Sequence, residues 1–217
     1  MEAHVAQKMT LALAAVALGS LAGSLPTGHR LTLPEAPRIE RVQRERPHPI
    51  RALPLPQRDQ RVDAVFAHLL GRQTRTGLTR DELSDLAETV VETADLHDFD
   101  HALVLAVIYV ESRFDAFAVS PKQALGLMQI LPSTGEWMAS KLGISWEGPQ
   151  TLFDPSTNVK IGVTYLRQLT DRYGRLETAL AAYNWGPTAI DRRLARGADL
   201  PRSYAGLVME ALQDRSS

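Results

Sequence analysis

Apolar residues from position 61 onward recur mostly at intervals of three and four. This spacing places apolar side chains on one face of a helix, and it predicts a series of amphipathic helices. Two stripes carry the pattern most clearly: Val62, Val65, Phe66, Leu69 and Leu70, and then Leu83, Leu86, Ala87, Val90 and Val91. No run of alternating apolar and polar residues typical of strands is present. We therefore predict an all-α body.

Polar and turn residues mark several ends of these helices. Thr79 followed by Glu82 is a capping box, which predicts a helix start at that position. Asp154-Pro155 is typical of an N-cap followed by proline in the first helical position. A short helix is predicted over residues 176–183, and Gly186-Pro187 ends it.

The most informative segment is residues 102–110, nine consecutive apolar positions that end directly before Glu111. Such a run is buried on all sides, and we favour a helix over a strand because the neighbouring segments have helical period. Burial favours the neutral form of a carboxyl group, and a protonated acid near neutral pH can donate a proton to a leaving group. The alternative is that Glu111 ends the helix and points into solvent or pairs with Arg113.

The first 61 residues differ in composition from the rest. Residues 9–28 carry no formal charge and are rich in Ala and Leu, so we interpret residues 1–25 as a signal peptide or a single uncleaved membrane anchor. Five arginines follow closely, which argues against export, but export remains the favoured interpretation. Seven of the thirteen prolines fall in residues 26–60, so residues 26–61 are predicted to be an extended Pro/Arg-rich linker.

Charge and cysteine content exclude several classes of function. Residues 26–61 carry eight Arg against four acidic residues, whereas residues 62–217 carry fifteen basic against twenty acidic residues. An acidic body argues against nucleic-acid binding. The absence of Cys excludes disulfides, Cys-ligated zinc, iron–sulfur clusters and thiol nucleophiles. His97 and His101 are spaced like a helical metal pair, but turn residues separate them, and we predict neither a metal nor a cofactor.

Around and after Glu111 the sequence resembles the soluble lytic transglycosylases of bacterial cell walls. The resemblance covers about residues 98–212. It rests on Val110-Glu111-Ser112-Arg113-Phe114-Asp115, Ala118-Val119-Ser120, Ala124-Leu125-Gly126-Leu127-Met128-Gln129-Ile130 with Pro132, Phe153-Asp154-Pro155-Ser156-Thr157-Asn158-Val159 with Gly162, Tyr165 and Leu166, Ala182-Tyr183-Asn184-Trp185-Gly186-Pro187, and Leu200-Pro201 with Tyr204. It divides the body into a helical extension, residues 62–97, and a catalytic domain, residues 98–217. The extension either covers the substrate-binding groove or adds apolar contacts to the core.

The resemblance implies a lysozyme-like helical fold that cleaves the β-1,4 bond between N-acetylmuramic acid and N-acetylglucosamine. It implies that Glu111 is the catalytic residue. Seven residues are implied in substrate binding: Ser120, Met128, Gln129, Tyr183, Asn184, Trp185 and Tyr204. Without the resemblance, a loop cap is preferred for Ser120, a backbone-satisfying amide for Gln129 and core packing for Met128. Tyr183 and Asn184 are then consistent with a helix end, and structural and binding roles are equally plausible for Trp185 and Tyr204.

A single-glutamate mechanism follows from this resemblance and from the residues present. Glu111 protonates the leaving oxygen and then removes a proton from the muramic C6 hydroxyl, which closes a 1,6-anhydro ring. Asp115, four residues later, is the candidate for the second carboxylate of a hydrolytic enzyme, but capping or solvent exposure is the favoured role for it. Trp137 and Trp146 are favoured as core residues over sugar-stacking ones.

The expected partner is the peptidoglycan glycan strand, in the periplasm or cell envelope. Envelope secretion or conjugation machinery is a further partner that such enzymes often serve. Two other functions stay open on the same sequence: a hydrolytic lysozyme and a non-catalytic module that binds murein.

Overall fold

The computed structural model describes residues 59–214, and in this range the chain is helical as predicted. The helices are α1 (Gln60–Leu70), α2 (Gln73–Thr76), α3 (Arg80–Leu96), α4 (His101–Ser112), α5 (Pro132–Leu142), α6 (Pro155–Tyr173), α7 (Leu176–Trp185), α8 (Pro187–Ala195) and α9 (Ser203–Gln213). A 3₁₀ helix covers Pro149–Phe153. Residues 59–214 form no named strand, only isolated β-bridges that join Val119 to Leu125 and Leu125 to Ile130.

The predicted signal peptide or anchor, and all but the last residues of the predicted linker, lie outside the described residues. Within residues 59–214, none of the helices combines the length and apolarity needed to cross a bilayer.

Helix α4 is the centre of the core, which confirms the helix predicted for the apolar run. It packs against α3 and α9, and its residues 103–108 are each at most 5% exposed. Asp100 caps its start by accepting a hydrogen bond from the Ala102 amide at 2.8 Å. The helix ends at Arg113, whose φ of 56° is left-handed, and Phe114 continues in the same region with φ 70°. The chain therefore turns sharply just after Glu111.

Residues 62–97 belong to the same core as the residues that follow them. The predicted capping box at Thr79 and Glu82 is present at the start of α3. Helix α1 packs on α3, and α3 packs on both α4 and α6. Buried side chains of α1 and α3 join the cluster formed by the later helices. In this position the segment adds apolar contacts to the core.

Helices α6 and α7 carry the later sequence motifs and pack against each other. Asp154 caps α6 by accepting a hydrogen bond from the Thr157 amide at 2.7 Å, as the sequence predicted. α6 packs against α7, and α7 packs against α9. Gly186 ends α7 with a φ of 84°, and Pro187 then opens α8 at once. The Gly-Pro pair is thus a sharp corner between two helices.

Candidate active site

Glu111 lies on the last turn of α4, part-buried, with one hydrogen bond to its carboxyl group. The Tyr204 hydroxyl on α9 donates to Glu111 Oε1 at 2.5 Å. Burial raises the pKa of Glu111 to about 7, and the hydrogen bond from Tyr204 opposes part of this rise. A group with this pKa is poised to give up and take back a proton near neutral pH.

Tyr183 and Tyr204 lie near Glu111, and their hydroxyl groups remain protonated. Burial raises the pKa of both Tyr183 and Tyr204 well above the usual range, and the nearby charge of Glu111 raises them further. Tyr183 donates its hydroxyl hydrogen to the Met128 carbonyl oxygen at 2.9 Å. The two rings therefore act as fixed hydrogen-bond donors beside the acid, one from α7 and one from α9.

The loop at residues 125–130 is tied to α4 and α6 by buried polar groups. Ser112 donates to the Leu127 carbonyl oxygen at 2.8 Å. The side chain of Asn158 is fully buried; its Nδ2 donates to the carbonyl oxygens of Leu125 at 3.0 Å and Leu152 at 2.8 Å, and its Oδ1 accepts from the Met128 amide at 2.8 Å. Two of these three bonds fix the path of the loop, and the third ties α6 to the 3₁₀ helix.

Gly126 allows this close approach of the loop to Asn158. Its φ is 74°, and a Cβ placed on it would lie 2.4 Å from both Asn158 Nδ2 and the Leu152 carbonyl oxygen. A side chain at this position would therefore displace the groups that hold the loop.

An open cavity of about 340 Å³ runs beside this loop, and we call it the groove. Four predicted binding residues lie along it, from the loop and from the end of α7: Gln129, Tyr183, Asn184 and Trp185. Trp185 is 50% exposed. Glu111 is not among the residues that line the groove; Tyr183 connects the two, because it lines the groove and the charge of Glu111 raises the pKa of its hydroxyl.

Other predicted site residues are held within the protein. The Met128 side chain is fully buried and its Sδ packs against Gly162, so its carbonyl rather than its side chain takes part in the site. Ser120 Oγ accepts from the Ala124 amide at 3.0 Å, which caps the loop. Gln129 Nε2 donates to the Ala118 and Gly126 carbonyl oxygens, at 3.1 and 2.9 Å, although its side chain also borders the groove.

Asp115 has the capping role that the sequence favoured. Its Oδ1 accepts from the Phe117 amide at 2.9 Å in an exposed turn. Among the described residues, none of the carboxylates lies close enough to Glu111 to shift its pKa. No cluster of three or more metal-ligating side chains is found in residues 59–214, and His97 is occupied by a hydrogen bond to Thr164 Oγ1 at 2.8 Å.

The structure adds residues that the sequence did not single out. Asn158 belongs to one of the motifs that carry the resemblance, but the sequence did not predict that its buried side chain holds the loop. The available signal was an amide between apolar positions of a helix. The core position predicted for Trp137 is wrong, because the indole is 47% exposed. Trp146, by contrast, packs against the core as expected.

Removal of the Tyr204 hydroxyl tests the arrangement around Glu111. We expect Tyr204→Phe to raise the pKa of Glu111 above its value of about 7, because the lost hydrogen bond stabilised the charged form. The measurement is a ¹³C NMR titration of the Glu111 carboxyl carbon in the full chain. Tyr173→Phe is the matched control, since Tyr173 bonds to Asp191 and Pro187 instead. An unchanged or lowered pKa in Tyr204→Phe contradicts the geometry.

Comparison with solved structures places the helices in a lysozyme-like all-α fold. The structure of the lytic transglycosylase Slt from Pseudomonas aeruginosa, solved as an inactive mutant, superposes with a TM-score of 0.50 at 24% identity. The match covers 70% of this chain and 28% of that one. This likeness shows the fold, and the predicted lysozyme-like architecture is confirmed.

The chain belongs to the transglycosylase SLT domain family, whose model matches residues 89–204. The match begins inside α3, before the domain boundary that the sequence suggested at residue 98. It includes Glu111, the loop at 125–130, the end of α7 and Tyr204.

Curated relatives match the same part of the chain. A transglycosylase of Enterobacteria phage PRD1 is 33% identical over 123 residues, which cover 57% of this chain and 41% of that protein. Membrane-bound lytic murein transglycosylase F of Desulfosudis oleivorans is 38% identical over 104 residues, 45% of this chain and 21% of that protein. The soluble lytic murein transglycosylase of Salmonella typhimurium is 34% identical over 103 residues, 46% of this chain and 16% of that protein. The matches thus span less than half of each relative's length.

Proposed function

We propose that this protein is a lytic transglycosylase that cleaves the β-1,4 bond between N-acetylmuramic acid and N-acetylglucosamine in peptidoglycan. The observation that carries the proposal is Glu111, a part-buried carboxyl group with a pKa of about 7, whose charge reaches Tyr183 on the wall of an open groove. Family membership and the names of the murein transglycosylase relatives support the same substrate.

Glu111 acts first as an acid and then as a base. Its protonated carboxyl gives its proton to the glycosidic oxygen, and the bond from that oxygen to the muramic C1 breaks. The substrate's own N-acetyl group stabilises the positive charge that develops at C1. Glu111, now a carboxylate, removes the proton of the muramic C6 hydroxyl, whose oxygen bonds to C1 and closes the 1,6-anhydro ring. No water is consumed, and the attack is intramolecular, so proximity supplies part of the rate.

The surroundings of Glu111 favour one carboxylate over two. Glycosidases that hydrolyse with two carboxylates hold them within about 10 Å of each other. In the described part of the chain, Glu111 has no such electrostatic partner, and Asp115 is engaged in its exposed turn. An acid with a pKa near 7 can carry out both proton transfers itself.

The residues along the groove are proposed to bind the glycan. Asn184 supplies its amide and Gln129 its amide oxygen for hydroxyl and N-acetyl groups, since the Gln129 Nε2 is already engaged. Trp185 offers an exposed ring for the apolar face of a sugar. Tyr183 and Tyr204 keep their contacts to Met128 and Glu111 and so hold the acid and the loop in place. Ser120, at the loop cap, extends the polar surface next to this loop.

Analysis of the reaction products tests the proposal. We expect the full chain to release muropeptides from purified murein that are lighter by one water than those of a lysozyme, because the ring closes on the C6 oxygen. Liquid chromatography with mass spectrometry reads this difference directly. Reducing-end products of full mass would identify a hydrolytic lysozyme, and binding to murein without any product would identify a non-catalytic module.

The cell envelope is the proposed location, since relatives are named membrane-bound and soluble lytic murein transglycosylases. Export or anchoring by residues 1–25, reach provided by the 26–61 linker, and service to secretion or conjugation machinery stay hypotheses. Deleting residues 30–55 tests the linker, because wall cleavage in cells should fall if the linker supplies reach.

A further inference from the structure

A second cavity continues the groove away from Glu111. Its volume is about 270 Å³, and it shares Thr134, Tyr165 and Pro187 with the groove. The aromatic rings form a path along the two cavities: the centroids of Tyr183 and Tyr165 are 5.6 Å apart, and those of Tyr165 and Trp137 are 6.4 Å apart. The path leads from the ring beside the acid to an exposed indole.

The indole of Trp137 is exposed and yet fixed in orientation. It is 47% exposed, although a tryptophan of a core helix would normally be buried. Tyr165 meets it at an interplanar angle of 88°, and Lys141 Nζ lies 3.9 Å from the centroid of its ring. A large apolar ring held at the end of a groove is a feature of a ligand site rather than of a folded interior.

Three polar side chains that line the cavity are neutral and available, whereas the Lys141 ammonium lies against the indole ring without lining the cavity. The side chains of Ser133, Thr134 and Gln168 line the cavity and make no side-chain hydrogen bond to any other part of residues 59–214. The one cation on the cavity wall, Arg172, is paired with Asp191 at 2.6 Å. Hydroxyls and an amide without a net charge suit the hydroxyl and N-acetyl groups of an amino sugar better than the carboxylates of a peptide.

We propose that this cavity is a distal subsite for one N-acetylated amino-sugar ring of the glycan strand, with Trp137 as its apolar wall. The inference rests on the proposed function, since it extends the same groove. A strand long enough to reach from Glu111 to Trp137 gains an additional contact, whereas a short strand does not. The subsite thereby sets a preference for long strands.

Cleavage of peptide-free glycan strands of different length tests the subsite. With the full chain, Trp137→Ala should lower kcat/KM on strands of six disaccharides about tenfold, and leave strands of two disaccharides within about twofold. Trp137→Phe should recover part of the loss. Leu142→Ala removes another exposed apolar side chain of α5 that lies outside the cavity lining, so it should change neither value. An equal effect of Trp137→Ala on both lengths, or none on either, overturns the subsite.

Binding separates this inference from the proposed function. The same six-disaccharide strands are titrated by calorimetry into Glu111→Gln and into Glu111→Gln with Trp137→Ala. A loss of affinity of about tenfold in the second protein supports the subsite even if the wild type releases no anhydro product. Equal affinity of both proteins, or no binding by either, overturns the subsite whatever the cleavage assay gives.

Discussion

Replacement of Glu111 by Gln is expected to reduce the release of muropeptides from murein by about 10³-fold. Gln keeps the size and the hydrogen-bond acceptor for Tyr204 but can neither donate the proton to the leaving oxygen nor accept one from the C6 hydroxyl. The loss should fall on kcat rather than on KM, because both proton transfers occur after binding. The measurement compares the rate of muropeptide release by the full-length wild type and the full-length variant from the same preparation of murein.

The pH dependence of the free energy of unfolding tests two points: that the Glu111→Gln variant is folded, and that the Glu111 carboxyl is buried in the wild type. In the wild type, the pKa of Glu111 rises from 4.5 to about 7 on folding, so stability from its neutral form is complete below pH 4.5 and lost as pH rises through 7. Gln does not titrate. The variant should therefore gain about 3 kcal/mol relative to wild type between pH 4 and pH 8, as read from denaturant midpoints. Unchanged turnover in a folded Glu111→Gln chain ends the proposed mechanism.

Replacement of Asn158 by Ala is expected to lower the free energy of unfolding by about 4 kcal/mol. The change leaves the Met128 amide and the Leu152 carbonyl oxygen without their side-chain partner, while the Leu125 carbonyl oxygen keeps its bond from the Ile130 amide; an unsatisfied buried group costs about 1–3 kcal/mol. Chemical denaturation of the full chain measures the loss. Cleavage should fall in the same variant under conditions where it remains folded, because Gln129 and the Met128 carbonyl belong to the loop that Asn158 holds.

Asn184→Ala is the matched control for this clamp. Asn184 is the same residue type but is exposed at the groove, so its removal should change stability by less than about 0.5 kcal/mol. A similar stability loss in both variants, or none in Asn158→Ala, would mean that the hydrogen bonds of Asn158 to Met128 and Leu125 do not hold the loop.

The elements with strong local signals were predictable from the sequence. The apolar run at 102–110 specified a buried helix, and the capping residues at Thr79 and Asp154 marked two helix starts, because each signal depends only on residues within one or two turns. Helix α8 was not predicted, although Pro187 is its first residue. A Gly-Pro pair can end one helix and begin the next, and the local pattern does not distinguish these outcomes.

The site was predictable where a motif carries it, and not where distant residues combine. Glu111 followed from its position after the apolar run together with the resemblance. Its hydrogen bond to Tyr204 joins residues 93 positions apart, and the packing of α9 on α4 that creates it has no local signal. The resemblance implied a substrate-binding Met128, but the space beside Gly162 accommodates its side chain in the core. Only the packing of α6 against the loop decides where this side chain lies.

The acid is attached to a part of the fold that rarely opens. The six residues 103–108 of α4 are almost inaccessible to solvent, and amide hydrogens in such a helix exchange only when large parts of the domain unfold together. The exposed side chains of Asn184 and Trp185 at the end of α7 can change rotamer in nanoseconds without disturbing that helix. Strands of varied shape can therefore be accommodated by the surface while the backbone that carries the proton donor keeps its position.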